Sequence, residues 1–315
     1  MKNAIKVVSI VLVTVFVCTG ATCFGQSGGR TINSAKALEE YLDSQPANSP
    51  DKPISVSMTI NDPMLKNVVH VIKSAGKYVS LNISGDALTT IPDFAFIDME
   101  DGKGCGTLVN VTIPASVTSI GDNAFYNCTS LASVTIGKGV TSIGYAIFSG
   151  CSSLITININ SGNTAYSSTD GVLYNKDKTK LLTYPAGKTN STFTIPNSVT
   201  SIEEGAFYES ICLTSVTIPN SVTSIERHAF TRCINLASIT IPNSVISIYD
   251  DAFYLCINLA SVTFEGTIAA DNFNNSAFHG DLKRKYLAGG AGTYKITTPI
   301  PPADPTSWNP VWRKQ

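Results

Sequence analysis

Six cysteines lie beyond the first 25 residues of this 315-residue chain, and five of them recur at a fixed spacing. The interval is 23 residues within Cys105, Cys128 and Cys151, and again between Cys233 and Cys256, whereas Cys212 is out of register by two. Zinc sites need ligands only a few residues apart, so this spacing does not indicate a metal site. We favour a buried column of small side chains; the alternative is disulfide bonding between neighbouring units.

The other reactive residue types form no catalytic pattern. His70, His228 and His279 share no spacing with carboxylates that would suggest a triad or a metal site. The adjacent carboxylates Glu203-Glu204 and Asp250-Asp251 fall in turns of a repeat, where solvation explains them. The sequence has no G-x-S-x-G, P-loop or dinucleotide fingerprint. We therefore expect no catalytic residues, no metal site and no cofactor, and predict that the protein is not an enzyme.

The charge pattern argues against nucleic acid as a partner. Lys and Arg number 22 against 23 Asp and Glu, which gives a net charge of -1, and only 14% of residues are charged. The sequence shows no basic patch of the kind that binds a phosphate backbone. Its polarity comes from Ser, Thr and Asn, as is typical of a neutral extracellular surface.

Residues 1–25 have the pattern of an export signal. Lys2 and Lys6 provide the positive start, Ile5 to Val17 is almost continuously apolar, and small residues follow. This apolar run of 13 residues is too short for a stable membrane span, and no second apolar segment follows. We expect cleavage and no transmembrane span in the mature chain. Cys23 offers the alternative of a lipid anchor, as in bacterial lipoproteins.

The chain from residue 79 to 264 is a tandem repeat. Each unit reads approximately L-x-x-V-T-I-P-x-S-V-T-S-I-x-x-x-A-F-x-x-C-x-x. The V-T-I triplets recur every 23 residues, except for a step of 36 from Ile159 to Ile195 and one of 30 from Ile83 to Ile113. The triplet alternates like a half-buried strand, and a proline such as Pro114 ends it.

A second extended piece and an aromatic pair complete the unit. The extended piece ends on an isoleucine such as Ile120, and an Ala-Phe pair follows at Ala124-Phe125, Ala206-Phe207, Ala229-Phe230 and Ala252-Phe253. One unit cannot bury its apolar face alone, whereas stacked units share a core. The sequence therefore predicts a right-handed superhelical solenoid. It should be mainly β with short helices and turns, have about eight 23-residue repeats, and be capped at both ends.

An insert at about residues 160–190 interrupts the repeat. Two short apolar runs, Gly171 to Tyr174 and Leu181 to Pro185, replace the isoleucine and Ala-Phe positions and flank a polar turn. This pattern predicts a β-hairpin that projects from the stack. Surface insertions often carry contacts, so Tyr174 and Tyr184 are candidate binding residues of the hairpin.

The chain before the repeats is expected to cover the exposed edge of the first strand. Residues 26–78 are predicted to form an N-terminal α/β cap. A helix is expected from about Ser34 to Leu42 and a strand from Ile54 to Ile60. A second helix should begin with Asp62 as its N-cap and Pro63 at the first helical position, and should end near Gly76.

The chain after the repeats is expected to cover the opposite edge. Residues 265–315 are predicted to form a C-terminal cap and a Pro- and Trp-containing tail. A short helix is expected from Asp281 to Tyr286, followed by a strand from Tyr294 to Thr298.

The repeated residues resemble a known family. The unit Ser215 to Ile225 (SVTIPNSVTSI), followed by Ala229-Phe230, is similar to the BspA-type, or treponemal-type, leucine-rich repeats of bacterial surface proteins. The insert residues Asp170 to Lys176 (DGVLYNK) and Tyr184 to Gly187 (YPAG) resemble a recurring segment of that family. The resemblance covers about residues 79 to 280. It implies a leucine-rich-repeat fold and a surface antigen or adhesin, and it brings no residue-level binding motif.

The leading hypothesis is a bacterial adhesin, located at the cell surface, associated with the outer membrane, or secreted. Its partners would be proteins of a host matrix or of bacterial surfaces. The alternative is a structural surface or periplasmic protein that acts as a spacer without a specific ligand. Binding of carbohydrate or ice by the threonine rows is a third hypothesis.

The candidate protein-binding face is the outward side of the repeated strands. The middle residues of the triplets point outward: Asn82, Thr112, Thr135, Asn158, Thr194, Thr217, Thr240 and Thr263. Two residues earlier, on the same face, are Ser80, Asn110, Ser133, Thr156, Thr192, Ser215, Ser238 and Ser261. All sixteen are small, uncharged and able to hydrogen-bond. Eight adjacent strands would make a platform about 34 Å long.

Overall fold

The chain forms a stack of about nine turns of ~23 residues, with few and short helices. This computed structural model describes residues 32–97, 102–297, 306 and 309–315. The predicted export signal, Cys23 and most of the Pro-containing tail lie outside the described residues. The predicted leucine-rich-repeat solenoid is confirmed.

Each turn contributes one strand to a main row, and the inward side of that row is apolar. In chain order its repeat strands are β1 (Ile54–Thr59), β2 (Val79–Ser84), β4 (Leu108–Thr112), β6 (Ser133–Ile136), β8 (Thr156–Ile159), β12 (Thr192–Thr194), β14 (Ser215–Thr217), β16 (Ser238–Ile241) and β18 (Ser261–Phe264). In β6, Val134 and Ile136 are buried, while Ser133 and Thr135 are half-buried on the outer side. The alternation predicted from the triplets is therefore present.

A second row of shorter strands lies further along each turn. Its members are β3 (Thr90–Ile91), β5 (Ser119–Ile120), β7 (Ser142–Ile143), β11 (Lys180–Thr183), β13 (Ser201–Ile202), β15 (Ser224–Ile225) and β17 (Ser247–Ile248). Neighbouring members pair in parallel within β3-β5-β7 and within β11-β13-β15-β17. Six of these strands, all except β11, end on an isoleucine that faces the interior, and five of the six isoleucines are buried.

The Ala-Phe pairs form an aromatic column through the stack. Phe207, Phe230 and Phe253 stack with ring centroids 4.7 and 4.9 Å apart and nearly parallel planes. Phe278 continues the column at 4.4 Å from Phe253, so the stack extends one layer beyond the predicted units. Stacked aromatic pairs stabilise beyond the area they bury, by about 0.5–1.5 kcal/mol each.

The in-register cysteines also form buried columns. The thiol of Cys151 donates to the Phe125 carbonyl oxygen over 3.0 Å, and that of Cys256 to the Phe230 oxygen over 3.0 Å. Burial raises the pKa of both thiols well above the ordinary range. Each thiol thus satisfies a carbonyl of the preceding layer.

The N-terminal region contains α1 (Ala35–Asp43), then β1, then α2 (Leu65–Ser74). β1 pairs in parallel with β2 and so extends the main row. The N-cap predicted at Asp62 is wrong by one residue, because the Asn61 side chain accepts from the Met64 amide. The carboxylate of Asp62 instead accepts from the backbone amide and the hydroxyl of Thr89.

The C-terminal region contains α3 (Leu282–Gly289), β19 (Gly292–Ile296) and β20 (Trp312–Lys314). β19 pairs antiparallel with β18, and β20 pairs antiparallel with β19, so the last repeat strand has a partner on its outer side. Trp312 is buried, and its indole nitrogen donates to the His279 carbonyl oxygen over 2.9 Å.

The insert does not project, which corrects the sequence prediction. Its strands are β9 (Tyr166–Thr169), β10 (Val172–Asn175) and β11, with β10 antiparallel to both neighbours. β11 joins the second row through β13. Tyr174 and Tyr184 are only 1% and 2% exposed, because the two apolar runs of the insert pack into the interior of the stack. They are core residues, not surface contacts.

Candidate binding face of the main sheet

The outward residues of the first five main-row strands lie in two registered rows. One row contains Ser55, Ser80, Asn110, Ser133 and Thr156, and the other Ser57, Asn82, Thr112, Thr135 and Asn158. Side-chain hydrogen bonds join neighbours at the N-terminal end: Asn110 Nδ2 donates to Ser80 Oγ over 2.7 Å, and Asn82 Nδ2 to Ser57 Oγ over 3.3 Å. The structure brings the predicted residues together and adds Ser55 and Ser57. We call this outward side, including its continuation on β12 to β18, the hydroxyl face.

The hydroxyl face is not the continuous platform predicted from the sequence. The hairpin connection between β9 and β10 lies against β8, where Ile157 donates its amide to the Gly171 carbonyl oxygen over 3.0 Å. Gly171 has φ +78°, and a Cβ there would lie 2.9 Å from Thr156 Oγ1. Only glycine fits this close approach without strain. The first five strands therefore end at the insert.

A second interruption lies between β14 and β16. The Ala237 amide donates to the Thr214 carbonyl oxygen over 3.2 Å just before these strands, but among the described residues no ladder pairs β14 with β16. The resulting strand cleft has a volume of about 380 Å³. Its lining includes Ser215, Thr217, Ser238 and Thr240, together with Asn220 and Glu265 at one end. Four of the predicted face residues thus line a cleft.

The C-terminal end of the hydroxyl face carries two cations that sequence reasoning missed. Lys295 is paired directly with Ser261, and Arg313 directly with Lys295. The hydroxyl oxygens of the paired residues Thr263 and Thr293 are 2.9 Å apart, which shows that directly paired residues share the outer side. Neither cation belongs to a repeat, so the 23-residue period gave no signal for them.

A further group of polar and aromatic side chains, half-buried except for the exposed Arg232, follows the Ala-Phe pairs, and we call it the turn ridge. It contains Tyr208, Glu209, Arg232, Tyr254 and His279. Arg232 Nη1 and Glu209 Oε1 are 2.8 Å apart, and this hydrogen bond raises the pKa of the guanidinium. Tyr254 stacks on His279 at 4.9 Å. Tyr and Arg are frequent binding hot spots, and their position one or two residues after each Phe was the available sequence signal.

The described residues contain no group of three His, Cys, Asp or Glu placed to hold a metal ion. Within the same ranges, no helix is both long enough and apolar enough to cross a membrane. The histidines His70, His228 and His279 lie in α2, in a repeat turn and in the turn ridge respectively.

The family of the repeat follows from its sequence profile. Residues 74–190 and 183–296 match, in six copies, the family described as the BspA type leucine-rich repeat region. The chain belongs to the BspA-type leucine-rich repeat family. The match spans most of the stack of this BspA-type protein, including the strand cleft and the hydroxyl face from β2 onward. Leucine-rich repeats of this family and fold are typically scaffolds for protein interactions.

Several solved structures are similar to this BspA-type chain over part of their length. A leucine-rich cell surface protein from Faecalibacterium prausnitzii A2-165 is 28% identical, with a TM-score of 0.48, over 64% of this chain and 59% of that one. A leucine-rich repeat protein from Eubacterium ventriosum ATCC 27560 is 24% identical, with a TM-score of 0.45, over 69% and 67%. The pneumococcal vaccine antigen PcpA is 22% identical, with a TM-score of 0.45, over 71% and 65%. No curated protein matches the sequence.

Proposed function

We propose that this protein is an exported bacterial surface protein that binds protein partners through its hydroxyl face. The registered rows on β1 to β8 carry the proposal, because five parallel strands present ten small, uncharged side chains on one side. Such side chains lose little rotamer entropy on contact, unlike lysine or glutamate. The apolar N-terminal segment supports export. We propose that the chain after this segment has three regions, residues 26–78, 79–264 and 265–315.

The face supports weak binding that gains strength from multiple copies. Its rows lack the aromatic and arginine side chains that usually dominate interface energy. Many copies on one cell would supply avidity without any new contact. A surface adhesin without enzymatic activity is the function most consistent with this chemistry.

A pair of double variants tests the face. Thr112→Lys/Thr135→Lys places two bulky cations on directly paired residues of β4 and β6. Thr118→Lys/Thr141→Lys makes the same substitutions in the same two layers on exposed sites outside the hydroxyl face. The full exported chain would be immobilised, and binding of extracellular-matrix proteins and of bacterial surface extracts measured by surface plasmon resonance.

We expect the first variant to lose binding and the second to keep it, with both melting like the wild type. Equal binding by both variants would exclude the registered rows of β1 to β8. The site would then lie in the strand cleft on the C-terminal part of the hydroxyl face, tested by Thr217→Lys/Thr240→Lys, or on the turn ridge, tested by Tyr208→Ala/Arg232→Ala. Absence of binding by the wild type in every arm would favour the spacer function. Fractionation of the producing cells tests the proposed surface location.

A further inference from the structure

We infer that the strand cleft and the cations beside it form a binding site for an acidic polysaccharide, a hydroxyl-rich chain bearing carboxylate or sulfate groups. This inference goes beyond the protein-binding proposal and does not depend on it. It rests on the lining of the cleft, on its width and on the position of Lys295 and Arg313.

The lining of the cleft fits a hydroxylated ligand. Most small-molecule pockets are largely apolar with a few polar groups. Here six of the nine lining residues are polar, with Ser215, Thr217, Ser238 and Thr240 on both walls and Asn220 and Glu265 at one end; Val216, Ile218 and Pro219 complete the lining. A Ser or Thr hydroxyl both donates and accepts, as a sugar hydroxyl does, so the two can pair in either direction. The volume of about 380 Å³ also lies within the usual range for a small ligand.

The walls of the cleft offer backbone groups as well. β14 pairs with β12 and β16 pairs with β18, so the facing edges of β14 and β16 are the unpaired ones. Unpaired strand edges present amides and carbonyls. A peptide strand does not fit between them, because the Ala237 amide and the Thr214 carbonyl oxygen are only 3.2 Å apart where the two strands begin.

Two cations extend the site in one direction. From Ser238 the registered order runs through Ser261 and Lys295 to Arg313. At ~4.8 Å per strand, Lys295 lies about 10 Å and Arg313 about 15 Å from Ser238. Both side chains are exposed, and among the described residues neither makes an ion pair. Cations at these distances require a ligand longer than one sugar, with anionic groups outside the cleft.

The charge of the rest of the protein argues against a general polyanion site. The net charge is -1, and Glu265 places a carboxylate in the cleft itself. Nucleic acids bind through many phosphate contacts, whereas only two cations flank this cleft along the registered row. A polymer with many hydroxyls and spaced anionic groups matches this distribution better.

The test measures binding of four probes of similar length to the full chain by isothermal titration calorimetry. The probes are an oligogalacturonate with carboxylates, a heparin fragment with sulfates, a neutral dextran and an oligothymidylate. We expect the wild type to bind one or both acidic saccharides, more weakly at high salt, and to bind neither of the other two measurably. The two acidic arms distinguish carboxylate from sulfate recognition.

Three double variants locate the site. Lys295→Gln/Arg313→Gln should weaken binding at least about tenfold, because it removes two charge-assisted contacts. Ser238→Ala/Thr240→Val removes two cleft hydroxyls with little change in shape, and should also weaken binding. Lys36→Gln/Lys66→Gln removes the same charge from exposed positions of the N-terminal helices, and should leave the affinity unchanged. Thermal melts confirm that each variant is folded.

Several outcomes would overturn the inference. These are failure of both acidic saccharides to bind the wild type, equal binding of oligothymidylate, unchanged affinity in Lys295→Gln/Arg313→Gln, and an equal loss in Lys36→Gln/Lys66→Gln. Loss of matrix-protein binding by Thr112→Lys/Thr135→Lys has no bearing on it, so the two proposals fail separately.

Discussion

Tyr184 stacks on Phe207 with ring centroids 5.3 Å apart and ring planes at 25°, so a tyrosine of the insert occupies the place that phenylalanine holds in other layers. Its hydroxyl is buried without a hydrogen-bond partner among the described residues, and burial raises its pKa to about 12. The aromatic column that continues through Phe207 to Phe278 therefore begins in the irregular layer, at the cost of one unsatisfied polar atom.

Tyr184→Phe is expected to increase the free energy of unfolding by about 1 kcal/mol, because it removes a buried hydroxyl that lacks a partner. Tyr286→Phe is the matched control, since the Tyr286 hydroxyl donates to the Gly266 carbonyl oxygen and accepts from the Ile268 amide. The same chemical change there should destabilise by about 1–3 kcal/mol. Urea unfolding of both variants measures the sign of each change in the free energy of unfolding. A decrease for Tyr184→Phe would contradict the assignment of its hydroxyl as buried without a partner.

Phe230→Ala should lower the free energy of unfolding by about 3–5 kcal/mol, because the ring is buried between Phe207 and Phe253 and leaves a cavity. The loss should extend to neighbouring layers, since repeats are stabilised by their interfaces. Phe94, which is 46% exposed, provides the control. Phe94→Ala should cost no more than about 2 kcal/mol, because only about half of the ring is buried. Similar melting temperatures for the two variants would contradict the placement of Phe230 in the buried aromatic column.

The column cysteines should be free thiols that are protected in the folded protein. Cys128, Cys151 and Cys256 are buried, and burial raises the pKa of each thiol, so little reactive thiolate forms at neutral pH. Cys212 is half-buried and should be alkylated first. For the mature chain without residues 1–25, mass spectrometry after iodoacetamide treatment should show one modification in the native protein and six after denaturation without reductant. Labelling of four or fewer of the six after denaturation would indicate disulfide bonding between units instead, since each bond removes two thiols.

Glu226 should make the protein more stable at low pH than at neutral pH. Partial burial raises its pKa above 4.5, assisted by Glu203 and Glu204 and opposed by Ser224 and Lys180. Below the unfolded pKa both states are protonated and the group has no effect. As the pH rises through the folded pKa, the carboxylate ionises in an unfavourable environment and stability is lost. Glu226→Gln should therefore raise the melting temperature by about 1 °C at pH 7.5 and leave it unchanged near pH 3.5. An equal gain at both pH values would rule out titration as the cause.

The repeat could be predicted because each layer has the same pattern of buried and outward side chains. In triplets such as Val134-Thr135-Ile136, alternation alone determines which side chains are inside, and the structure follows it. The insert was harder, because Val172, Leu173 and Tyr174 are all buried. A strand that is buried on both faces has a continuous apolar sequence, so no alternation of apolar and polar residues indicates which side chains face the core.

The limits of the site prediction have a similar origin. Both units that border the strand cleft match the repeat, so the sequence carries no signal that β14 and β16 would remain unpaired. Lys295 and Arg313 come from unrelated segments of the chain that antiparallel pairing brings beside Ser261. A period of 23 residues predicts contacts only between equivalent positions of the repeats, and not between segments that do not repeat.

The contact between Gly171 and β8 also determines the register in which the layers stack on one another. The units 215–237 and 238–260 share 16 of 23 residues, so a chain folded with an offset of one whole layer there would lose few contacts. An offset across the insert would instead separate Gly171 from Ile157, and the amide of Ile157 would lose its acceptor. Whole units could therefore be gained or lost on the C-terminal side over evolutionary time, while the irregular layer keeps the two halves of the chain correctly matched.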